Sequence, residues 1–147
     1  IILIAPGDLY TSIGPLLCID GVREALAEST AKKIYISNLV QKPGQTAGFT
    51  VGDHASEIER FAGPVLDYVL YNTARPESNL LDKYSVTGEI MVAPDESRMK
   101  KEHYTPMGYP LLSNAEIKKE KGDALAATRS FIRHAQAALW QALELLI

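Results

Sequence analysis

The stretch IILIAPGDLYTSIG, which runs from Ile1 to Gly14, decides the fold of this 147-residue chain. Its first five residues are apolar, and the run stops at Pro6-Gly7. A short apolar run that ends in a Pro-Gly break predicts a buried strand followed by a tight loop. Open α/β sheets bind their ligands at loops that leave the carboxyl ends of strands, so this loop is a candidate binding site.

The loop after this strand is rich in small polar groups. Its backbone N–H groups and the hydroxyls of Thr11 and Ser12 are suited to hold an anion, most readily a phosphate. The alternative is an ordinary strand-to-helix turn whose hydroxyls only cap the next helix, because such turns are common. The loop alone leaves both interpretations open.

Composition excludes several classes of protein. The chain is 46% apolar with a net charge of -3, which is typical of one globular domain spanning residues 1–147 and gives no reason to expect nucleic acid or an acidic membrane as a partner. No apolar run approaches the ~18 residues of a membrane span. A single cysteine, Cys18, rules out an internal disulfide and predicts a reducing compartment such as the cytoplasm. A homo-oligomer stays open.

Two more strand patterns follow, and each comes after a helical pattern. Helical spacing over Val22–Ser29 precedes the strand Ile34–Val40, and helical spacing over His54–Ala62 precedes the strand Leu66–Tyr71. Strands that alternate with helices predict an α/β fold with a parallel sheet.

A polar side chain stands at or just after the end of each predicted strand. These residues are Asp8, Asn38 and Asn72. Because the carboxyl ends of parallel strands meet at one edge of a sheet, we expect the three side chains to converge on one crevice.

The second loop, Gln41–Gly52, is rich in glycine, and its turn from Gly44 to Thr46 could extend a phosphate site. Asp53 is placed to cap the helix that follows. His54 is a candidate general base because histidine titrates near neutral pH, and the alternative is an exposed imidazole at a helix start.

The rest of the chain is less regular. It predicts a short helix over Asn79–Tyr84, a weak fourth strand over Glu89–Ala93 and a long loop over Ser97–Asn114. An apolar stripe over Asp123–Ile147 predicts a long amphipathic helix that packs on the sheet or on a partner chain, with His134 on its surface.

The sequence gives little support for a zinc site or for a serine catalytic triad. The histidines lack zinc-ligand spacing, and a serine triad lacks the nucleophile-elbow pattern. Asp8 and Asp95 carry hard oxygen ligands that could hold Mg²⁺ beside a diphosphate, although such residues more often lie in turns.

Two motifs together resemble one family. APGDLYTSI, Ala5–Ile13, resembles the GPGSLYTSI signature of the CofD/YvcK family, and NLVQKPGQTAGFTVGDH, Asn38–His54, resembles NLMTQPGETxGFSxxDH of the same family. The match also includes LDYVLYNT, Leu66–Thr73, and the joint occurrence of three stretches in order is specific.

The resemblance implies a Rossmann-like fold with helices on both faces of a mostly parallel sheet. The family includes 2-phospho-L-lactate transferase, which acts in coenzyme F420 biosynthesis, and YvcK-type gluconeogenesis factors that bind UDP-sugars. The LYTS form is nearer the YvcK branch. The family's glycine-rich first half is absent and the chain begins in mid-strand without Met, so we expect the C-terminal portion of a longer domain.

The resemblance also implies which residues bind the ligand. The first loop would line a crevice for a nucleotide diphosphate, and the second loop would form its opposite wall: Gly7, Leu9, Tyr10, Thr11 and Ser12, then Asn38, Gly44, Thr46, Asp53 and His54. The convergence of strand ends adds Asn72 to these predicted binding residues.

There are departures from the family pattern. Asp8 replaces a serine and puts a negative charge where a phosphate would approach, unless a cation intervenes. RHAQ, Arg133–Gln136, resembles a family RHDP but lacks its Asp and Pro.

Three functions are therefore expected in order. The first is a regulatory protein that binds a UDP-sugar-like nucleotide diphosphate. The second is a transferase that moves a phospholactyl group from a guanosine diphosphate carrier to a deazaflavin, with Mg²⁺ helping. The third is a protein-interaction domain that uses the C-terminal helix.

Overall fold

The computed structural model describes residues 1–76, 90–113 and 132–147. Within these ranges the chain forms a parallel sheet of four strands, in the order β1-β2-β3-β4. The strands are β1 (Ile2–Ile4), β2 (Lys33–Ile36), β3 (Tyr68–Asn72) and β4 (Thr105–Tyr109). The helices are α1 (Gly14–Leu17), α2 (Val22–Glu28), α3 (Val51–Ala62), α4 (Glu96–Met99) and α5 (Gln136–Glu144), and a π-helical turn spans Leu9–Ile13.

The pairing register puts the carboxyl ends of the strands along one edge. Ile4 lies opposite Tyr35, and Tyr35 lies opposite Val69. All four residues of β2 are buried, as in parallel sheets that are covered on both faces. The predicted α/β fold with a parallel sheet is confirmed.

Helices cover both faces, as predicted. On one face Tyr35 and Val69 pack with Ala55 and Ile58 of α3. On the other face Ile34, Ile36 and Leu70 pack with Ala142, Leu143 and Leu146, from α5 and the turn after it. Successive residues of β2 serve opposite faces because side chains alternate along a strand.

The fourth strand lies elsewhere than predicted. Residues 91 and 93 form only isolated bridges, to Val40 and Thr50, whereas β4 lies inside the predicted loop Ser97–Asn114. Its Pro106 and Gly108 suggested a loop. Proline is tolerated in an edge strand, and among the described strands β4 pairs with β3 alone.

The glycine in β4 follows from close packing. A Cβ at Gly108 would lie 2.9 Å from the hydroxyl of Tyr71 and 2.7 Å from the methyl of Thr73, both shorter than a real contact. Gly108 argues against a strand in the sequence, but Tyr71 and Thr73 of the neighbouring chain segment leave no room for a side chain at this position.

The C-terminal helix is shorter than the predicted Asp123–Ile147. Just before α5 the chain is extended: the Ser113 N–H donates to the Arg133 carbonyl at 2.8 Å, and the Ala135 N–H donates to the Leu111 carbonyl at 2.7 Å. The predicted helix over Asn79–Tyr84 and residues 123–131 lie outside the described residues. In the described ranges no helix is long and apolar enough to cross a membrane.

Candidate functional site

The loops after β1 and β2 are joined by one side chain at the carboxyl edge of the sheet. The Asn38 Nδ2 donates to the Gly7 carbonyl at 2.8 Å, and the Gly7 N–H donates to the Asn38 Oδ1 at 3.3 Å. This pair of bonds spans 31 positions in the sequence. The structure therefore brings two predicted site residues together, and it assigns the Asn38 amide to holding the loops in place.

Asp8 stands at the opening between these loops. Its carbonyl accepts from the N–H groups of Ser12 and Ile13 at 2.9 and 3.1 Å, which closes the π-helical turn. Its carboxylate lies 3.4 Å from the hydroxyl of Thr11 and 3.4 Å from the ammonium of Lys42. A cation that balances the charge of Asp8 is thus present: it is the ammonium of Lys42, from the second loop.

Lys42 is a site residue that the sequence analysis missed. The only sequence signal is a lysine directly before the Pro-Gly of the second loop. The turn that holds it is closed by Thr46, whose buried hydroxyl accepts from the Lys42 N–H at 2.8 Å, while the Thr46 N–H donates to the Lys42 carbonyl at 2.9 Å. Gly44 occupies the exposed bend with φ +76°, a conformation that favours glycine.

The predicted residues of the first loop point in different directions. Leu9 is 1% exposed and belongs to the core, so it does not line a crevice. Tyr10 donates its hydroxyl to Glu57 of α3 at 3.0 Å and packs edge-on against Phe61. Thr11 and Ser12 are exposed, and neither packs against α3 as Tyr10 does.

Asp53 lies inside a network at the start of α3. Thr50, not Asp53, is the N-cap, and the two residues form a capping box in which the Thr50 N–H donates to the Asp53 carboxylate at 2.9 Å. Arg98 contacts the same carboxylate at 2.6 Å. Burial alone would raise the pKa of Asp53, but the bonds from Thr50 and Arg98 outweigh it and lower this pKa below its ordinary value.

Asp95 completes this network and is not available to a metal. Its carboxylate accepts from the Gly52 N–H at 2.9 Å and contacts the Thr50 hydroxyl at 2.8 Å. The positive end of α3 is therefore occupied by an acidic side chain of the same chain.

His54 is fully buried, so the alternative prediction, an exposed imidazole at a helix start, is wrong. Its Nδ1 lies 3.0 Å from the Thr50 carbonyl, and its ring meets Phe49 edge-on. Its buried Nε2 has no hydrogen-bond partner among the described residues. Burial lowers the pKa of His54, which keeps the ring neutral at pH 7, and the enclosed ring offers no path to a general-base role.

Asn72 also serves the scaffold. Its Oδ1 accepts from the N–H groups of Ala74 and Leu111 at 3.1 and 3.0 Å, and its Nδ2 donates to the Ala74 carbonyl at 2.8 Å. Of the three strand-end residues, Asn38 and Asn72 thus hold the exits of their strands, and Asp8 faces the opening.

His134 also lies elsewhere than predicted. It is in the extended segment opposite Leu112, not on a helix surface, and it lies near the backbone of Ser37 at the carboxyl end of β2. Burial lowers its pKa. The RHAQ motif therefore approaches the same edge of the sheet as the two loops, and its likeness to RHDP was the available signal.

The predicted magnesium ligand, Asp8, belongs to no cluster of metal-binding side chains in the part of the chain that the structure describes. The described residues contain no group of three His, Cys, Asp or Glu side chains placed to hold a metal. Asp8 supplies a single carboxylate, and its neighbour is an ammonium. Because Mg²⁺ is commonly bound through one or two carboxylates together with substrate phosphates, Asp8 would hold it only jointly with a ligand.

Comparison with known proteins identifies the family. The family model for 2-phospho-L-lactate transferase CofD matches residues 1–112. The chain belongs to the CofD family. The match includes both crevice loops, β1 to β4 and the network at the start of α3.

Named relatives fall in one branch of the family. A putative gluconeogenesis factor of Thermotoga maritima is 41% identical over 100 residues, which is 68% of this chain and 32% of the relative. A putative gluconeogenesis factor of Aquifex aeolicus is 35% identical over 91% of this chain and 37% of the relative. The gluconeogenesis factor of Bacillus subtilis is 33% identical over 68% of this chain.

A crystal structure confirms the Rossmann-like architecture. A UPF0052 family member from Bacillus halodurans superposes with a TM-score of 0.80 at 26% identity, over 99% of this chain and 42% of that protein. The chain thus spans about a third to two fifths of the length of these relatives.

Proposed function

We propose that the crevice between the first two loops binds a nucleotide diphosphate of the UDP-sugar type and that the protein is regulatory. The observation that carries this proposal is the meeting of a hydroxyl and an ammonium at Asp8. Thr11 and Lys42 come from different loops and both lie 3.4 Å from its carboxylate. Together with the exposed Ser12, they surround one opening with groups that bind phosphate.

The negative charge of Asp8 does not prevent an anion from binding. An exposed ion pair contributes only about 0–1 kcal/mol to stability. The side chains of Lys42 and Asp8 are 49% and 40% exposed. The Lys42 ammonium can therefore turn from Asp8 to an entering phosphate at small cost.

The relatives' name, gluconeogenesis factor, states no reaction, whereas the name of the family model supports a second candidate. That candidate is a transferase that moves a phospholactyl group from a guanosine diphosphate carrier to a deazaflavin hydroxyl, in which Mg²⁺ would bind between Asp8 and the phosphates. The chain's residues would position the diphosphate and neutralise its charge.

The third expected function, an interaction domain, has less support. The apolar side of α5 and the turn after it already packs on the sheet through Ala142, Leu143 and Leu146. These side chains of the apolar stripe are therefore buried against the chain's own sheet and not against a partner.

Thermal unfolding tests the proposal. A ligand at 100 times its Kd stabilises the folded state by about 2.7 kcal/mol, which raises Tm by about 5–10 °C in a domain of this size. We expect UDP-N-acetylglucosamine alone to raise Tm. A shift that requires GDP and Mg²⁺ together would favour the transferase, and no shift with either nucleotide would contradict both.

A double variant locates the shift. Thr11→Ala with Ser12→Ala should abolish the ligand-induced shift, because it removes both exposed hydroxyls of the first loop. Thr30→Ala, an exposed threonine outside the crevice, is the matched control and should keep the shift. An unchanged shift in the double variant would remove Thr11 and Ser12 from the site.

A further inference from the structure

We infer that a second binding site, for a small organic anion, lies at the opposite edge of the sheet from the crevice. A cavity of about 370 Å³ lies between α2 and the end of α3, beside the residues that lead into β2 and β3. This volume falls within the range of small-molecule sites, about 300–1,000 Å³. The cavity shares no residue with the crevice and is independent of the function proposed above.

The cavity combines an apolar floor with a charged rim. The floor is formed by Leu26, Ala62, Val65 and Leu66. Side chains of Arg23, Lys33, Asp67 and His103 stand around it. An apolar wall with a few convergent polar groups is the usual composition of a ligand pocket.

Lys33 and Asp67 neutralise one another at the rim of the cavity. Lys33 is only 8% exposed, and its Nζ donates to the Ser29 carbonyl at 2.7 Å. The Asp67 carboxylate accepts from the Lys33 N–H at 2.8 Å and lies 4.0 Å from the Lys33 Nζ. The single carboxylate of the rim is therefore already matched by a buried cation.

The second acidic group near the cavity is also engaged. Glu59 accepts from the Leu66 N–H at 2.9 Å, and its Oε1 lies 3.0 Å from the Nε2 of His103. Glu59 thus has hydrogen-bond partners of its own and does not line the cavity.

Arg23 remains as the uncompensated charge of the rim. Among the described residues it forms no ion pair with a carboxylate. Its guanidinium lies over Gly63, with Nε 3.2 Å from the position that a Cβ would occupy there. Gly63 follows the last turn of α3, and the negative end of a helix attracts a cation, which explains why Arg23 is held at the cavity.

The chemistry of this rim selects the ligand. A guanidinium binds carboxylate or phosphate through two parallel N–H bonds, and the apolar floor favours a hydrophobic body on the same molecule. The expected ligand is a compact organic carboxylate or phosphate, not a free inorganic ion.

NMR titration of the full 147-residue chain tests this site. The probes are phenyl phosphate and benzoate, with benzyl alcohol as the neutral analogue and inorganic phosphate as the anion without an apolar body. We expect an aromatic anion to shift the amide signals of Ala27, Gly63 and Val65, and the stronger of the two anions identifies the head group. Equal binding of benzyl alcohol, or no shift of these amides with any probe, would overturn the inference.

Two variants separate charge from shape. Arg23→Met should weaken binding of the anion at least tenfold, whereas Arg60→Met, an exposed arginine outside the cavity, should bind as the wild type does. Ala27→Phe fills the cavity from an exposed position and should also abolish binding, with circular dichroism to verify folding. Binding that is unchanged in Arg23→Met would overturn the assignment of Arg23.

Discussion

The crevice opening, at Asp8, and the start of α3 are built from the same three kinds of group. The groups at the opening stay accessible to a ligand, whereas those at the start of α3 are bonded to one another and to the helix. At the opening, the hydroxyl of Thr11 and the ammonium of Lys42 each lie 3.4 Å from Asp8. At the start of α3, the hydroxyl of Thr50 lies 2.8 Å from Asp95, and Arg98 lies 2.6 Å from Asp53. A hydroxyl, a carboxylate and a cation thus occur in both places, with different contact lengths.

The difference lies in what the carboxylates do. At α3, Asp53 and Asp95 accept hydrogen bonds from backbone N–H groups and fill the helix terminus. At the opening, the contacts of Asp8 to Thr11 and Lys42 are long and exposed, so an incoming anion can replace them. Binding capacity therefore follows from unfinished bonding and not from residue type.

The largest effect on stability should come from removing a carboxylate of the network at the start of α3. Asp95→Ala leaves the Gly52 N–H and the Thr50 hydroxyl without this acceptor and removes a neighbour of Arg98. We expect a loss of about 2–3 kcal/mol in the free energy of unfolding, measured in urea. A loss below about 0.5 kcal/mol would show that the network does not hold the start of α3.

Substitutions of the two cations, Lys42 and Arg98, should separate the effect on ligand binding from the effect on stability. Lys42→Met should weaken binding of UDP-N-acetylglucosamine about tenfold or more, or about 1.4 kcal/mol, because a charged hydrogen bond to phosphate is lost. Arg98→Met should leave this affinity unchanged and lower the free energy of unfolding. Calorimetric titration and urea unfolding of both variants measure the two quantities, and a loss of affinity confined to Arg98→Met would reverse the comparison.

The buried imidazole near the closed network predicts a pH dependence. The pKa of His54 is lowered from 6.5 by burial, so the unfolded state binds more protons than the folded state below that pH. Stability is retained above about pH 6.5 and lost as the pH falls through the window below it, with a slope of at most about 1.4 kcal/mol per pH unit for one group.

His134 contributes in the same direction, because burial lowers its pKa as well. Urea unfolding from pH 7.5 to 5 should show a shallower slope in His54→Gln than in the wild type, and His103→Gln, an exposed histidine, is the control. Equal slopes in the wild type and His54→Gln would contradict a buried neutral ring.

The smallest effect on stability should come from Asp8. Asp8→Asn removes an exposed ion pair, and we expect the free energy of unfolding to change by less than about 0.5 kcal/mol. The same variant removes a negative charge from the opening, so the affinity for UDP-N-acetylglucosamine should rise a few fold. A fall in affinity would indicate that Asp8 is needed to hold Lys42 in place.

Much of the fold was predictable because its signals are local. The alternation of strands and helices predicted the parallel sheet, and Thr50-x-x-Asp53 is a capping-box pattern that lies within four residues. The strand β4 escaped prediction because Pro106 and Gly108 argue against a strand, and only the pairing with β3 accommodates them.

The candidate site was predictable in part. The sequence predicted that the first two loops lie together, and the bond from Asn38 to Gly7 confirms this proximity. The direction of each side chain was not, because Leu9 turns into the core and Tyr10 turns toward α3. These directions depend on packing with residues far away in the chain.

The amino-acid sequence by itself determined the order of the first three strands and of the helices between them, and thereby a parallel sheet with its loops at one edge, because hydrophobic periodicity acts over a few residues. Only the tertiary structure decided that Asp95 is hydrogen-bonded within the chain and that Asp8 stays exposed at the crevice opening. Asp95 reaches Gly52 across 43 positions, and Lys42 reaches Asp8 across the gap between two loops. Such contacts form only after the chain has folded, so no local pattern can specify them.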